Sequence, residues 1–289
     1  MPWRELYPFA SHYFTTGEGH RLHYVDENSA SNKCILMLHG NPTWSFMYRG
    51  LVAKAAASGW RAIALDNLGS GLSDKPQDWH YTLEKHIANL EQFVASLNLK
   101  DITLVMHDWG GPIGMGYAVR HPRKIRRLVL MNTAAYLPRD VPRRIYLCHV
   151  PWLGSFLVRR LNLLMKTALR RAVTKPLSQD VIDGYCFPYQ NWNDRITLLK
   201  YPQDIPLSKQ HPSYETFKEL EDRLGLLSDK PSVLLWGERD FCLHTGYLEL
   251  WRRIYPDAKV YRYPDASHFL LEDKESEALE TIMDFISNT

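Results

Sequence analysis

An aspartate, Asp108, lies at a predicted sharp turn between a buried strand and a helix. The surrounding sequence, LVMHDWGGPIG over 104–114, is an apolar run, a polar residue, two glycines and further small or apolar residues. A serine commonly occupies the tip of such a turn, where it attacks carbonyl carbon. A carboxylate can instead attack saturated carbon, displace a leaving group and form an alkyl ester. The simpler alternative is that Asp108 only caps the following helix.

A histidine and a second acid further along the chain favour the nucleophile. His268, in PDASHFLLED, follows the last predicted strand, where chains with a nucleophile on such a turn carry their catalytic histidine. Asp240, in WGERDFC, follows the preceding strand and can orient the imidazole and stabilise its positive charge. Asn132 and Glu238 compete for that role, but Asn132 is uncharged and Glu238 is placed in the strand-end turn. We therefore predict a triad of Asp108, Asp240 and His268.

A second loop is predicted to approach the nucleophile. LHGNPTW, over 38–44, follows the first long buried strand. Its His-Gly pair brings the backbone close to Asp108, so that the backbone N–H groups of Asn41 and Trp109 can form an oxyanion hole. The alternative is a plain Gly-Asn-Pro turn.

Composition excludes several other classes of function. The 289 residues are 45% hydrophobic with a net charge of +3, which suits one large domain, or a domain with an insertion, and gives no basis for nucleic-acid binding. None of the four cysteines forms a C-x-x-C pair, so we expect no metal and no cofactor. DNLGSGLS lacks the Lys-Ser/Thr of a phosphate-binding loop. No signal pattern or membrane-spanning run is present, and reduced thiols fit a predicted cytoplasmic location.

Alternating polar and apolar residues near 11–16 and 21–26 predict an antiparallel hairpin. Short continuous apolar runs predict buried strands over 33–40, 60–66, 101–108, 125–132, 231–240 and 258–268. Between them lie helical stretches, the clearest over 82–99. The alternation predicts an α/β fold with a mostly parallel eight-stranded sheet and helices on both faces. The polar residues that end the apolar runs are then the candidates for chemistry: His39, Asn41, Asp66, Asp108, Asn132, Asp240 and His268.

The strand–helix alternation is interrupted after Asn132. No convincing strand follows until Pro231, but much of the sequence between them is helix-like. We predict an α/β core over 1–133 and 210–289 and an inserted helical cap over 134–209. A helix near 213–227 returns the chain to the core.

At these residues the chain resembles a known family. HGNPTW, DNLGSGLSDKP, HDWGG, WGERD and SHFLLED together resemble the haloalkane dehalogenases of the α/β-hydrolase fold, over nearly the whole chain and most weakly in the cap. The resemblance implies that the Trp109 indole and the Asn41 side-chain amide bind the halide, although Trp109 could simply pack. It also implies that water activated by His268 hydrolyses the Asp108 ester.

Several residues narrow the subgroup. Asn41 weighs against an epoxide hydrolase, in which cap tyrosines protonate the oxygen, although tyrosines are available at Tyr136, Tyr146, Tyr185, Tyr189 and Tyr201. Trp109 weighs against a fluoroacetate dehalogenase, which carries arginine there. With Asn132 after the sixth strand and Asp240 after the seventh, the chain resembles the subfamily that also contains the β-lactone decarboxylases of long-chain olefin biosynthesis. The segments NTAA, PYQNWNDRI and QDIPLS resemble that group as well.

Three functions therefore stay open. The leading prediction is dehalogenation of a small apolar haloalkane. The second is conversion of a cis-3-alkyl-4-alkyloxetan-2-one to a cis-alkene and carbon dioxide. The third is a non-catalytic binding protein, against which the complete predicted triad argues.

The predicted cap is strongly basic. Between Arg139 and Lys175 there are nine Lys or Arg and one Asp, interleaved with apolar residues. This pattern predicts cap helices with apolar residues on the substrate side and solvated basic residues outside. The alternative is docking on an anionic membrane surface or on an acidic partner.

Overall fold

The structure is a computed structural model that describes residues 2–139 and 141–289. Met1 and Asp140, which fall in the predicted core and cap ranges, lie outside the described residues. Eight strands form one sheet in the order β1-β2-β4-β3-β5-β6-β7-β8. They are β1 His12–Thr15, β2 Arg21–Glu27, β3 Cys34–Leu38, β4 Arg61–Leu65, β5 Ile102–Asp108, β6 Ile125–Thr133, β7 Ser232–Gly237 and β8 Lys259–Tyr263.

The pairing of the strands confirms the predicted fold class. Strands β1, β2 and β4 pair antiparallel, and every other neighbouring pair is parallel. Because parallel strands end at the same edge of a sheet, the residues that follow β3, β5, β6 and β7 come together there.

Helices cover both faces of the sheet, in agreement with the continuous apolar runs. They are α1 Arg49–Ala57, α2 Leu83–Ser96, α3 Gly110–Arg120, α4 Arg143–His149, α5 Leu153–Ser155, α6 Leu163–Arg171, α7 Gln179–Cys186, α8 Ile196–Gln203, α9 Tyr214–Arg223, α10 Thr245–Ile254, α11 Leu270–Asp273 and α12 Glu275–Ser287. Within β3, Leu36 packs with the cluster under α2 and α3, whereas Ile35 and Met37 pack with the cluster under α1 and α12. Alternate strand residues point to opposite faces, and both faces are buried here.

Helices α4–α8 lie between β6 and α9, and no strand occurs among the described residues between the end of β6 and the start of β7. Two hydrogen bonds tie α7 to the core: the Trp44 indole donates to Gly184 O at 3.1 Å, and the Tyr185 hydroxyl donates to Glu272 at 2.5 Å. The division into a core and a cap over 134–209 stays a prediction. Within the described ranges, no helix has the length and apolar character needed to cross a membrane.

Candidate active site

The turn at the end of β5 holds Asp108 in a left-handed conformation, with φ of +49°. The chain passes directly into α3 through Gly110 and Gly111. A Cβ atom at Gly110 would overlap the carbonyl oxygen of Leu38, and one at Gly111 would overlap the Thr133 hydroxyl. The two glycines are therefore needed for α3 to start so close to the neighbouring strands.

Backbone N–H groups bind the Asp108 carboxylate. The N–H of Asn41 donates to Asp108 Oδ1 at 2.6 Å, and that of Trp109 also bonds to the carboxylate. A Cβ atom at Gly40 would overlap this carboxylate, which explains the glycine before Asn41. Burial raises the pKa of Asp108 above its ordinary value, while His268 and the two N–H groups oppose the rise.

His268 lies between two carboxylates. Its Nδ1 is 2.7 Å from Asp240 Oδ2, and its Nε2 is 3.7 Å from Asp108 Oδ2. Burial opposes the charged imidazole, but Asp240 and then Asp108 outweigh burial and raise the pKa of His268 above its usual value. Burial likewise opposes the charge of Asp240, yet His268 and two backbone N–H groups hold its pKa below the ordinary range. The structure thus brings the three predicted triad residues together.

Asn132, the alternative third member of the triad, is instead a partner of Asp240. Its Nδ2 donates to Asp240 Oδ2 at 2.9 Å and to Gly237 O at 3.0 Å, and its Oδ1 accepts from Gly237 N at 2.8 Å. Glu238, the other alternative, forms an ion pair with Arg262. The fully buried Asn132 therefore ties the end of β6 to the end of β7 and fixes the acid.

Replacing Asn132 by leucine is expected to lower the free energy of unfolding by about 4 kcal/mol and to reduce turnover. The substitution leaves a buried N–H and a buried carbonyl of Gly237 without partners, and leucine is strained at the φ of +32°. Urea unfolding and kcat measure the two effects. Asn89→Leu is the control, since Asn89 is also buried but its amide nitrogen has no partner among the described residues. Equal destabilisation by both substitutions would contradict these contacts.

His107 contacts the backbone and the ring of His268 and was not among the predicted residues. His107 Nε2 donates to His268 O at 2.8 Å, and the two ring centroids are 4.6 Å apart. Burial lowers the pKa of His107 to about 3, so the ring is neutral. The only sequence signal was its place beside Asp108, which does not reveal a contact with a residue so distant in the chain.

Two other polar residues at strand ends maintain the loops around the site. The buried Asp66 carboxylate accepts hydrogen bonds from the backbone N–H groups of Ser45 at 2.7 Å and Leu72 at 2.9 Å. His39 Nδ1 donates to Gly40 O at 2.7 Å. Both side chains are satisfied by the protein itself, which indicates a structural contribution.

An apolar cavity of about 360 Å³ opens above Asp108. Polar residues that line it include Asn41, Asp108, Trp109, His268 and Arg144, and the apolar side chains that line it include Ile145, Leu157, Leu164, Phe217 and Leu243. The Trp109 indole N–H makes no hydrogen bond within the described part of the chain, whereas Asn41 Nδ2 lies 3.4 Å from Leu198 O. The cavity therefore combines a carboxylate with neutral N–H donors in mostly apolar surroundings.

Three of the five cap tyrosines use their hydroxyls in hydrogen bonds within the protein. The hydroxyls of Tyr136, Tyr185 and Tyr189 donate to groups of the protein. Tyr146 is half-exposed, and Tyr201 packs its ring on Trp109 outside the cavity lining. In residues 2–139 and 141–289, no group of three His, Cys, Asp or Glu side chains is arranged to hold a metal ion.

Comparisons with known proteins agree with this geometry. The family model of the α/β-hydrolase fold matches residues 33–275. The chain is 39% identical to the cis-3-alkyl-4-alkyloxetan-2-one decarboxylase of Shewanella oneidensis, over 98% of this chain and 90% of that protein. It is 33% identical to a haloalkane dehalogenase of Mycobacterium marinum, over 96% and 94% of the two chains.

A solved structure agrees in fold. The haloalkane dehalogenase DatA of Agrobacterium tumefaciens superposes with a TM-score of 0.86, at 24% identity over 96% of each chain. The predicted family and fold class are thus confirmed. The chain belongs to the α/β-hydrolase fold family, in the group that contains the haloalkane dehalogenases and the cis-3-alkyl-4-alkyloxetan-2-one decarboxylases.

Proposed function

We propose that Asp108 attacks a saturated carbon and that the substrate is a cis-3-alkyl-4-alkyloxetan-2-one, a strained β-lactone with two alkyl chains. The observation that carries the reaction class is a partly buried carboxylate held by two backbone N–H groups at the base of an apolar cavity. The choice of lactone is supported by the higher identity to the decarboxylase, 39% against 33% for the dehalogenase.

The lactone reaction needs two steps and no water. Asp108 attacks C4 of the ring, the C4–O bond breaks, and the former ring oxygen leaves as part of a free carboxylate on C3. The electrons of the bond between C3 and this carboxylate then form the C3=C4 double bond. Carbon dioxide leaves, the C4–O bond of the Asp108 ester breaks, and the aspartate is restored. Protonated His268 and the Trp109 indole N–H are suited to stabilise the intermediate carboxylate.

Haloalkane dehalogenation is the second candidate, favoured by the Trp109 indole N–H at the cavity, which has no hydrogen-bond partner among the described residues. Here Trp109 and the Asn41 amide hold the departing halide. His268, oriented by Asp240, then removes a proton from water that attacks the carbonyl of the Asp108 ester. The backbone N–H groups of Asn41 and Trp109 stabilise the resulting oxyanion.

Parallel assays of the two substrates are expected to favour the lactone. We expect kcat/KM to be about 100-fold higher for a dialkyl β-lactone than for a 1-haloalkane of matched length, a difference of about 2.7 kcal/mol in transition-state stabilisation. Proton NMR of the products distinguishes alkene from alcohol without heating the lactone. The reverse preference would make dehalogenation the function. A folded protein inert towards both substrates would favour the non-catalytic alternative.

We also propose a cytoplasmic location and a reaction without cofactors. The location is supported by four cysteines that are all unpaired: Cys34, Cys148, Cys186 and Cys242. The absence of a cofactor is supported by the mechanism itself, since both candidate reactions balance with the substrate, the side chains and, for the haloalkane, water.

A further inference from the structure

An exposed apolar surface lies on the cap beside the cavity. It is formed by α4, α5, the π-helical turn Phe156–Arg160 and the start of α6, segments that pack against one another. Large apolar side chains that are exposed on it are Tyr146, Leu147, Val150, Trp152, Leu153, Phe156, Leu161 and Leu163. So many exposed apolar side chains in segments that adjoin one another indicate a binding face.

Trp152 forms the tip of this surface. This residue is 89% exposed, and its φ of +64° is rare for a bulky residue. Local hydrogen bonds hold the turn: Phe156 N donates to Trp152 O at 2.8 Å, and Gly154 N donates to Val150 O at 3.1 Å. The turn therefore presents the indole to its surroundings instead of burying it against the protein.

The cap segment over residues 141–175, which includes this surface, carries a positive charge that no acidic residue within it balances. Residues 141–175 contain no Asp or Glu and eight cations: Arg143, Arg144, Arg159, Arg160, Lys166, Arg170, Arg171 and Lys175. None of the eight forms an ion pair within the described part of the chain. Arg159 hydrogen-bonds to Trp192 O and Gln77, and Arg144 bonds to Phe241 O. The others are exposed and available to anions.

The exposed surface continues into the cavity. Leu147 and Leu163 are exposed and also line the cavity, and Ile145 and Leu157 of the same segment line it from within. An apolar molecule that reached the cavity from this side would remain in contact with apolar side chains on its way.

We propose that this cap surface docks on a lipid bilayer that contains anionic phospholipids. The indole and neighbouring apolar side chains insert at the level of the headgroups, and the arginines bind phosphate groups. A second copy of this chain is a poor occupant, because docking the same surfaces would bring together two sets of eight cations that have no ion-pair partner among the described residues. The inference is independent of the proposed reaction, since it concerns binding alone.

Vesicle flotation tests the proposal. The parent protein is expected to float with phosphatidylcholine vesicles that contain phosphatidylglycerol and to remain unbound with phosphatidylcholine alone, and raising the salt should weaken the binding. The triple variant Arg160→Gln/Arg170→Gln/Arg171→Gln is expected to bind about 100-fold more weakly, from about fivefold for each cation near an anionic surface. If the parent failed to bind anionic vesicles, the proposal would be overturned.

A matched triple variant controls for the overall positive charge. Lys100, Arg123 and Arg253 are exposed, form no described ion pair and precede strands β5, β6 and β8, at the edge of the sheet opposite the cavity. Lys100→Gln/Arg123→Gln/Arg253→Gln is expected to leave vesicle binding within about threefold of the parent. An equal loss in both triple variants would show non-specific attraction and overturn the docking surface.

Trp152→Asn tests the apolar contribution separately, because asparagine tolerates a positive φ. We expect about tenfold weaker vesicle binding, whereas Leu226→Asn, at another exposed apolar residue, should leave binding unchanged. Sedimentation velocity without vesicles gives the oligomeric state. A change of that state in Trp152→Asn, with vesicle binding unaltered, would assign the surface to a second copy and overturn the bilayer proposal. Binding of an acidic protein to this surface, together with a failure of anionic vesicles to bind, would also overturn the bilayer proposal.

Discussion

Asp108→Asn is expected to lower kcat by at least about 10⁴-fold for both the β-lactone and the haloalkane, because an amide cannot displace either leaving group. Asparagine tolerates the φ of +49°, and its amide oxygen can still accept the N–H of Asn41. The loss should therefore reflect chemistry and not misfolding. Single-turnover kinetics and the intact mass of the protein after exposure to substrate provide the measurement, and no alkyl adduct should form.

The matched control for Asp108 is another aspartate that lies at a strand end. Asp66 follows β4, and its carboxylate accepts backbone N–H groups of two loops. Asp66→Asn is expected to lower the free energy of unfolding by about 2 kcal/mol, while the folded fraction keeps its ability to form an adduct. If Asp108→Asn and Asp108→Ala both retained turnover within tenfold of the parent, the covalent mechanism would be wrong for both reactions.

Local sequence pattern predicted the sheet well because each central strand is buried on both faces and reads as a continuous apolar run. Asp108 and His268 were predictable because each lies at the end or just beyond a strand, where the topology alone determines its position. Asn132 was among the candidates, but its contacts and those of His107 were not predictable, since they depend on the register between neighbouring strands and on loops more than one hundred residues away. The exposed turn at Trp152 was also not predictable, because nothing in the neighbouring sequence indicates a positive φ.

His268→Ala is expected to separate the two candidate reactions. With a 1-haloalkane, the alkylation step remains but the water step loses its base, so steady-state turnover should fall by about 10³-fold. One equivalent of halide is released rapidly, and the alkyl ester on Asp108 accumulates at the corresponding mass. With the β-lactone, no water is consumed, and only the stabilisation of the intermediate carboxylate is lost. We expect a loss of about 30-fold there, with alkene still formed and no lasting adduct.

His12→Ala supplies the control for this comparison, because His12 is exposed on β1, at the far edge of the sheet from β8. It should leave both reactions unchanged. An equal loss for both substrates in His268→Ala, without an adduct from the haloalkane, would contradict a role for His268 in the water step.

The pH dependence of the parent should show the same separation. Because the pKa of His268 is raised, its imidazolium persists to higher pH than that of an ordinary histidine. Ester hydrolysis needs the neutral base, so dehalogenation should increase as the pH rises through this pKa. In lactone decarboxylation the imidazolium stabilises the intermediate carboxylate, so this reaction should become slower over the same range. Both reactions should fail on the acid side, since the raised pKa of Asp108 means that its carboxylate is protonated at a higher pH than usual. Parallel pH profiles for the two substrates would contradict the division of roles between Asp108 and His268.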